Sequence, residues 1–298
     1  MSSSIKSNSF ISSLFSSIAA EWLYCWNRRD CRWLSLGLAC FTALGTRIIF
    51  NPYTLGFLSA EEMIWHPTQL WLANLVATYN YLLPLASVIL TFDLWSQSAG
   101  ENSGRGRKIG RLLWLHMMVG FSFVIGFTAV VLNVIFIGEP LSSAVIMRAI
   151  GIWGAATLLV NTVFGLIACV ASFVRDAERS MKWSMGLLTA IIVGVPLLSD
   201  ILLYREFGPM PMPGTPAWEQ YLETARNSLG MAVYFLSPME TFMSLTTYLS
   251  GVKQLTAGLI IGLWSILAFQ AFIAWLIFGI LYIIRKVVIH RVVRHALA

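Results

Sequence analysis

A polar stretch of the chain, Asp93–Arg111, reads DLWSQSAGENSGRGRKIGR and separates two long apolar runs. It is rich in Gly and Ser, and its second half is basic with little opposing charge nearby. Its cations are Arg105, Arg107, Lys108 and Arg111. Short loops beside membrane spans carry an excess of Lys and Arg when they are cytoplasmic. We therefore expect this stretch to lie on the cytoplasmic side of a membrane.

The composition of the whole chain excludes an ordinary soluble domain. The chain has 298 residues, of which 57% are hydrophobic and 11% charged, and its mean hydropathy is +0.73. Such values predict an all-α polytopic membrane protein. The net charge of +6 could indicate nucleic-acid binding in a soluble protein. Here the cations cluster in short loops beside apolar runs, which indicates membrane topology and no nucleic-acid partner.

Six apolar runs are long enough to cross a hydrocarbon core, which takes about 20 residues of helix. They are Trp33–Phe50, Leu70–Leu94, Leu112–Ile137, Ala149–Val174, Trp183–Tyr204 and Thr256–Ile284. The first is short and contains Arg47, whose long side chain can reach the headgroups. Residues 33–298 are thus predicted to form a single transmembrane domain of six helices.

The distribution of cations gives this arrangement an orientation. Fifteen of the 20 Lys and Arg residues fall on the predicted cytoplasmic side. They are Lys6, Arg28, Arg29, Arg32, Arg105, Arg107, Lys108, Arg111, Arg175, Arg179, Lys182, Arg285, Lys286, Arg291 and Arg294. The other five are Arg47, Arg148, Arg205, Arg226 and Lys253. The asymmetry predicts that both termini are cytoplasmic.

Residues 1–32 are predicted to be a cytoplasmic leader that contains an interfacial helix. Apolar residues recur at three- and four-residue steps, and serines lie on the opposite face. The apolar set is Phe10, Ile11, Leu14, Phe15, Ile18, Ala19, Trp22, Leu23 and Trp26. Serines interrupt the apolar stretch, so we do not expect it to be a cleavable signal peptide. The alternative is a disordered leader, which fits Met1–Ser9.

The segment 205–255 is predicted to be a long outer connection before the last span. It begins with a Pro/Gly turn region, Gly208–Pro216, and continues with two helical patterns separated at Ser237-Pro238. Two short helices dipping against the outer leaflet would satisfy this pattern, because non-helical backbone at membrane depth must be shielded by protein. The alternative is an ordinary amphipathic surface loop.

Asp200 is the clearest interior acid of the predicted spans. A carboxylate in a membrane is costly and usually faces a partner or an aqueous cavity. Asp200 and Arg47 fall at similar depths near the outer ends of their spans, so we hypothesise an intramembrane ion pair between them. The alternative is that Asp200 simply reaches the outer interface.

The other polar residues of the spans predict packing rather than chemistry. Asn80, Asn133 and Asn161 are expected to bond to neighbouring helices, and the Gly258–Gly262 step would permit close helix approach. Cysteines and histidines are too scattered for a zinc, redox or haem site. They are Cys25, Cys31, Cys40, Cys169, His66, His116, His290 and His295.

Motifs for catalysis and nucleotide binding are missing from the sequence. It contains no G-x-x-x-x-G-K-[ST] loop, and Gly100–Gly110 lacks the setting of a phosphate cradle. Neither an H-E-x-x-H motif nor a pair of carboxylates within the spans is present. We therefore expect no catalytic residues, no metal site and no cofactor bound by this chain.

Taken together, the layout resembles that of ABC-2 type transporter permeases. Two patches are similar to that family: FDLWSQSAGENSGRGRKIGRLLWLHMMVG, residues 92–120, at the coupling loop, and YFLSPMETFMSL, Tyr234–Leu245, before the sixth span. The resemblance implies the transmembrane subunit of an ABC exporter in the cytoplasmic (inner) membrane. Its partners would be a second permease copy and a separate ATPase subunit that holds ATP and Mg²⁺.

The resemblance also implies residue roles. The coupling segment 93–111 would dock on the ATPase, with contacts from Ser96, Gln97, Glu101, Arg105, Arg107 and Lys108. The motif of the outer segment comprises Ser237, Pro238 and Phe242. Alternatively, the cations of the loop only fix its orientation. The rival functions are a non-transporting anchor or assembly subunit of a larger complex and, less favoured, a membrane-embedded enzyme.

Overall fold

A computed structural model describes residues 2–45, 67–91, 104–138, 141–174, 177–209, 211, 216–249 and 257–296. All regular elements within these ranges are helical. They are α1 (Ser2–Asn27), α2 (Arg29–Gly45), α3 (Pro67–Thr91), α4 (Gly104–Ile137), α5 (Ser143–Phe173), α6 (Ala177–Thr189), α7 (Val195–Phe207), α8 (Pro216–Ala225), α9 (Leu229–Tyr234), α10 (Pro238–Leu249) and α11 (Ala257–Ala296). A π-helical turn, Ala190–Gly194, joins α6 to α7.

Four stretches of helix are long and apolar enough to cross a membrane: Lys108–Phe136, Ser143–Val170, Glu178–Phe207 and Gly258–Ile284. They coincide with the third to sixth predicted spans, so the prediction of an all-α membrane protein is confirmed. The first two predicted spans fall on α2 and α3. The apolar part of α2, Cys31–Leu44, is shorter than the four spans.

The helix that contains the fifth predicted span includes a local irregularity with a clear cause. Pro196 would clash with the carbonyl of Ile192 in a regular α-helix, and it has no N–H to donate. The turn immediately before it is wider, because the amide of Val195 donates to the carbonyl of Ala190, five residues earlier. The π turn therefore lets one continuous helical element run from Ala177 to Phe207.

Helix α5 is the centre of the bundle. It packs against α3, α4, α6, α10 and α11. In the most apolar 18-residue stretch of α5, 61% of the residues are buried. The corresponding share is 17% in the span formed by α6 and α7 and 17% in the span of α11. Those two spans therefore keep broad apolar faces on the outside of the single chain.

Close approach of α5 and α11 depends on glycines of α5. A Cβ at Gly165 would lie 2.9 Å from the Cβ of Ala274, and one at Gly154 would lie 3.0 Å from the indole of Trp264. At Gly258 and Gly262 no atom lies within 4 Å of such a Cβ. The predicted role of the Gly258–Gly262 step in helix approach is therefore wrong within the described chain. The small residues that matter lie on the facing helix.

Candidate functional site

The predicted coupling segment leads directly into α4, which begins at Gly104. Ser96, Gln97 and Glu101 lie outside the described residues. Arg105 and Arg107 belong to the first turn of α4, and Lys108 in the next turn is half-buried. The N-terminal end of α4 is packed along α1, and we call this contact the α1–α4 junction. It comprises Glu21, Trp22, Cys25 and Trp26 of α1 and Gly110, Arg111 and Trp114 of α4.

Gly110 sets the distance between the two helices. A Cβ at this position would lie 2.9 Å from the Cβ of Glu21 and 3.2 Å from the carbonyl oxygen of Ile18. Such short separations leave no room for a larger side chain at position 110 unless the helices move apart. Because glycine has no side chain, α1 can pack closely against the first turns of α4.

A buried ion pair locks the α1–α4 junction. The Nε of Arg111 donates to Oε1 of Glu21 at 2.8 Å, and its Nη2 donates to the same oxygen at 2.5 Å. The two side chains are 1% and 2% exposed. The guanidinium carbon also lies 5.7 Å from the ring centroid of Tyr24. Charge-assisted bonds of this kind are roughly twice as strong as neutral ones, and here both partners are shielded from water.

The ion pair corrects the sequence interpretation of Arg111. It was expected to be one of four cations with little opposing charge, but Glu21, 90 positions earlier, neutralises it. A signal for this partner was present in the sequence. Glu21 lies three residues after Ile18 and four before Cys25, on the apolar stripe of α1. An acid on an apolar stripe predicts a buried basic partner.

Aromatic and thiol groups complete the α1–α4 junction. The ring of Trp114, 2% exposed, makes edge contacts with Trp22 at 6.0 Å and Trp26 at 6.1 Å between centroids. Cys25 and Cys31 are fully buried. A hydrogen bond with Cys31 and burial raise the pKa of the Cys25 thiol well above its usual range, so it is neutral at physiological pH. The two thiols act as packing groups, as the sequence predicted.

A polar bond joins α4 to α5 within the bundle. The side-chain amide of Asn161 donates to the carbonyl of Thr157 at 2.9 Å and contacts Nε2 of His116, also at 2.9 Å. Nδ1 of His116 contacts the carbonyl of Leu112 at 2.8 Å. These partners fix the proton on Nδ1 and leave Nε2 as an acceptor. The prediction that Asn161 bonds to a neighbouring helix is confirmed. The side chain of Asn133 lies outside the described residues. Asn80 is buried in the core, but its Oδ1 has no hydrogen-bond partner among the described residues, so a bond from this oxygen to a neighbouring helix is not confirmed.

The predicted break at Ser237-Pro238 separates α9 from α10, so short helices do precede the last span, while their position at the outer leaflet stays a prediction. The Ser237 hydroxyl accepts from the amide of Glu240 at 3.4 Å and caps α10. Pro238 and Phe242 are buried, and α10 packs against α3, α5 and α11. These three residues therefore have a packing and capping role in the structure.

The side chain that bonds to the backbone at this break, Gln270, was not predicted from the sequence. Nε2 of Gln270 on α11 donates to the carbonyl of Phe235 at 2.7 Å and to the hydroxyl of Thr241 at 3.2 Å. Gln270 lies 12 residues after the start of the Gly258–Ile284 span. At about 1.5 Å per residue this is roughly 18 Å along a core about 30 Å thick. The α9–α10 turn thus reaches far down the length of α11 and is shielded by protein.

Replacement of Gln270 by Leu should lower the free energy of unfolding by about 1 kcal/mol, because the Phe235 carbonyl loses the shorter of its two side-chain hydrogen bonds and keeps the one from the Thr241 hydroxyl at 3.4 Å. The thermal midpoint of the purified protein in detergent would measure this change. Ser265→Ala is a matched control, since Ser265 is exposed on the same helix and its hydroxyl donates to the carbonyl of Ile261 within that helix. Equal midpoints for the two variants would contradict a stabilising role for the Gln270 bond.

The other predicted ion-pair member, Asp200, is exposed on α7 and lines a cavity of about 390 Å³. The cavity is also lined by Ile201, Tyr204, Gly208 and Tyr221. Arg47 lies outside the described residues, so the hypothesis of an Arg47–Asp200 pair stays a prediction. Within the described part of the chain no group of three or more His, Cys, Asp or Glu side chains is arranged to hold a metal ion.

Comparison of the sequence with protein-family models finds no match, and comparison with curated proteins finds no similar sequence.

Proposed function

We propose that this chain is the membrane-spanning permease subunit of an ABC exporter, driven by a separate ATPase subunit. The single observation that carries the proposal is the α1–α4 junction. A segment predicted to dock on a motor enters α4, and α4 is fixed to α1 by a buried ion pair and then continues as a span. A force applied to this loop would move two helices together rather than bend one end.

The packing of the bundle supports a dimer as the working unit. Helix α5 fills the centre of the single chain and touches α3, α4, α6, α10 and α11. A substrate path would therefore lie between two copies. The apolar outer faces of α6–α7 and α11 are the surfaces available for a second permease copy and for lipid.

The remaining features of the proposal come from the sequence. All six predicted spans cross the cytoplasmic (inner) membrane, and both termini lie in the cytosol because of the cation asymmetry. ATP and Mg²⁺ bind to the partner, since this chain has no phosphate-binding loop. Ser96, Gln97, Glu101, Arg105, Arg107 and Lys108 form the surface that contacts the ATPase.

The proposal is tested by purifying the protein with its natural partners and then weakening the loop. Replacing Glu101, Arg105, Arg107 and Lys108 by Ala together should reduce binding of the ATPase subunit by at least about tenfold, which corresponds to about 1.4 kcal/mol. Membrane insertion and the thermal midpoint of the permease should change little. The measurement is the amount of ATPase that co-purifies and its rate of ATP hydrolysis.

A matched control replaces Arg179 and Lys182, which are exposed cations of another predicted cytoplasmic loop. This variant should retain the ATPase. If both variants lose the ATPase subunit equally, the loss is caused by the general reduction of positive charge, and the coupling role of the segment 93–111 is wrong. If the wild type binds no Walker-containing ATPase but co-purifies with a different complex, the chain is an anchor or assembly subunit instead.

A further inference from the structure

The cavity beside Asp200 has one rigid wall. Leu203, Tyr221 and Ala225 form a small buried cluster between α7 and α8. The ring of Tyr221, 8% exposed, is held edge-on by Phe207 at 5.9 Å between centroids. Because these side chains are packed against one another, the aromatic wall on α8 is already in place.

The opposite face of α7 is occupied, which leaves the Asp200 face open. The Ser199 hydroxyl donates to the carbonyl of Gly230 on α9 at 2.9 Å. A Cβ at Gly230 would lie 2.6 Å from Leu203, so α9 is pressed against this side of α7. Asp200 and Tyr204 are four residues apart and share the remaining face, and α7 ends at Phe207, which is followed by Gly208 with a φ of +81°.

The groups around the cavity favour a positive ligand. Asp200 makes no salt bridge with any described residue, and Tyr204 and Tyr221 supply aromatic rings. Burial raises the pKa of Tyr221, and the Asp200 charge raises it further, so the phenol stays neutral beside the carboxylate. A cation near aromatic rings is attracted by their electron-rich faces.

The position of the cavity along the span and the side chains that line it restrict the class of ligand that it can bind. Its volume is about 390 Å³, and it is open to the surface because Asp200, Ile201 and Tyr204 in its lining are exposed, so a small organic group can enter it. Asp200 lies seven residues before Phe207, the end of the span, or about 10 Å along the helix. The site therefore opens near one end of a span and presents the apolar side chain of Ile201 beside the carboxylate. A compact inorganic ion would gain little from contact with these apolar and aromatic side chains.

We propose that the cavity of Asp200, Tyr204 and Tyr221 binds an organic ammonium group, carried by a lipid headgroup or by a soluble amphiphilic amine. The carboxylate neutralises the ligand charge, and the two aromatic rings and Ile201 contact its alkyl groups. This inference does not depend on ATP or on a partner subunit. Its failure would therefore leave the proposed permease function untouched, and the reverse also holds.

The test is calorimetric titration of the purified full-length protein with phenyltrimethylammonium in a non-ionic detergent. Asp200→Asn should weaken binding by at least about tenfold, and Tyr204→Leu by about threefold. Tyr204→Phe keeps the ring and should bind like the wild type. Glu206→Gln, an exposed carboxylate on the same helix that does not line the cavity, is the matched control and should have no effect.

A comparison with tert-butylbenzene, the neutral isostere, needs no variant and keeps the test decisive if Asp200→Asn does not fold. The cation should bind at least about tenfold more tightly than the isostere. Nanodiscs distinguish the two sources of the ammonium group. Phosphatidylcholine or phosphatidylethanolamine should compete with the probe if the ligand is a lipid, and phosphatidylglycerol discs should not. Equal probe affinity in all discs assigns the site to a soluble amine.

Two results would overturn the inference. One is equal affinity for the cation and its neutral isostere, or equal affinity of the wild type and a folded Asp200→Asn variant. The other is binding that appears only after Arg47→Gln. In that case the guanidinium of Arg47 already occupies the site, and the hypothesis of an intramembrane ion pair is correct instead.

Discussion

Arg111→Met should lower the free energy of unfolding by about 3–5 kcal/mol, because it leaves the carboxylate of Glu21 buried without its charged partner. Met has a similar length and is apolar, so the loss of packing is small and the effect reports the uncompensated charge. Reversible unfolding in mixed micelles would measure it, and the yield of folded protein should fall in parallel.

The double variant Glu21→Leu with Arg111→Met tests whether the unpaired charge causes this loss of stability. Removing both charges removes the desolvation cost as well, so the double variant should recover most of the stability that Arg111→Met loses. Glu178→Gln with Lys182→Met is the matched control, since that pair is 73% and 74% exposed and is worth at most a few tenths of a kcal/mol. A double variant as unstable as the single one would show that Arg111 acts through some other contact.

The features of the fold that depend on adjacent residues could be predicted from the sequence. Hydropathy located the long helices, because each carries an apolar run of the length that a bilayer requires. The turn between α9 and α10 was also predictable, since Ser237-Pro238 interrupts the helical pattern and Ser before Pro favours a cap. These features are local, and a few adjacent residues determine them.

Contacts between distant helices were not predictable in the same way. Periodicity states that one face of α1 is apolar, but it does not state which helix covers that face. The partner of Arg111 is 90 positions away, and the Gln270 donor lies 35 positions from Phe235. Glycine patterns have the same limit, because the Gly258–Gly262 step has the spacing of a contact motif yet meets no neighbour within 4 Å in the described chain.

The α1–α4 junction also changes the interpretation of the positive charge at the start of α4. Lys108 and the first-turn arginines begin the helix, whereas Arg111 is withdrawn into the protein by Glu21. The net positive charge of the segment 93–111 is therefore smaller by one than its sequence suggested, while Arg105, Arg107 and Lys108, the cations of the proposed ATPase contact, do not include the neutralised residue. Arg111 would instead contribute by keeping α1 attached while the loop moves.

Gly165→Leu should produce the second large loss of stability, about 3 kcal/mol, because a side chain there meets the Cβ of Ala274 and the backbone of α11. A Cβ at position 165 would lie 2.9 Å from the Cβ of Ala274, 3.4 Å from its carbonyl carbon and 3.5 Å from the amide nitrogen of Trp275. Backbone cannot change rotamer, so the helices would have to separate. The stacked contact of Phe164 with Trp275, at 5.6 Å between centroids, would be disturbed at the same time. The unfolding midpoint in detergent is the measurement.

Gly262→Leu on α11 separates this effect from a general cost of replacing glycine. No atom lies within 4 Å of a Cβ at position 262, so the variant should keep the stability of the single chain. If a second permease copy packs against that face of α11, the variant should instead weaken the dimer, which size-exclusion chromatography with light scattering would detect. An unchanged unfolding midpoint for Gly165→Leu would mean that α5 and α11 are not packed as closely as the structure shows. The proposal that a substrate path lies between two copies would then lose its support, because the centre of each bundle would have room to open.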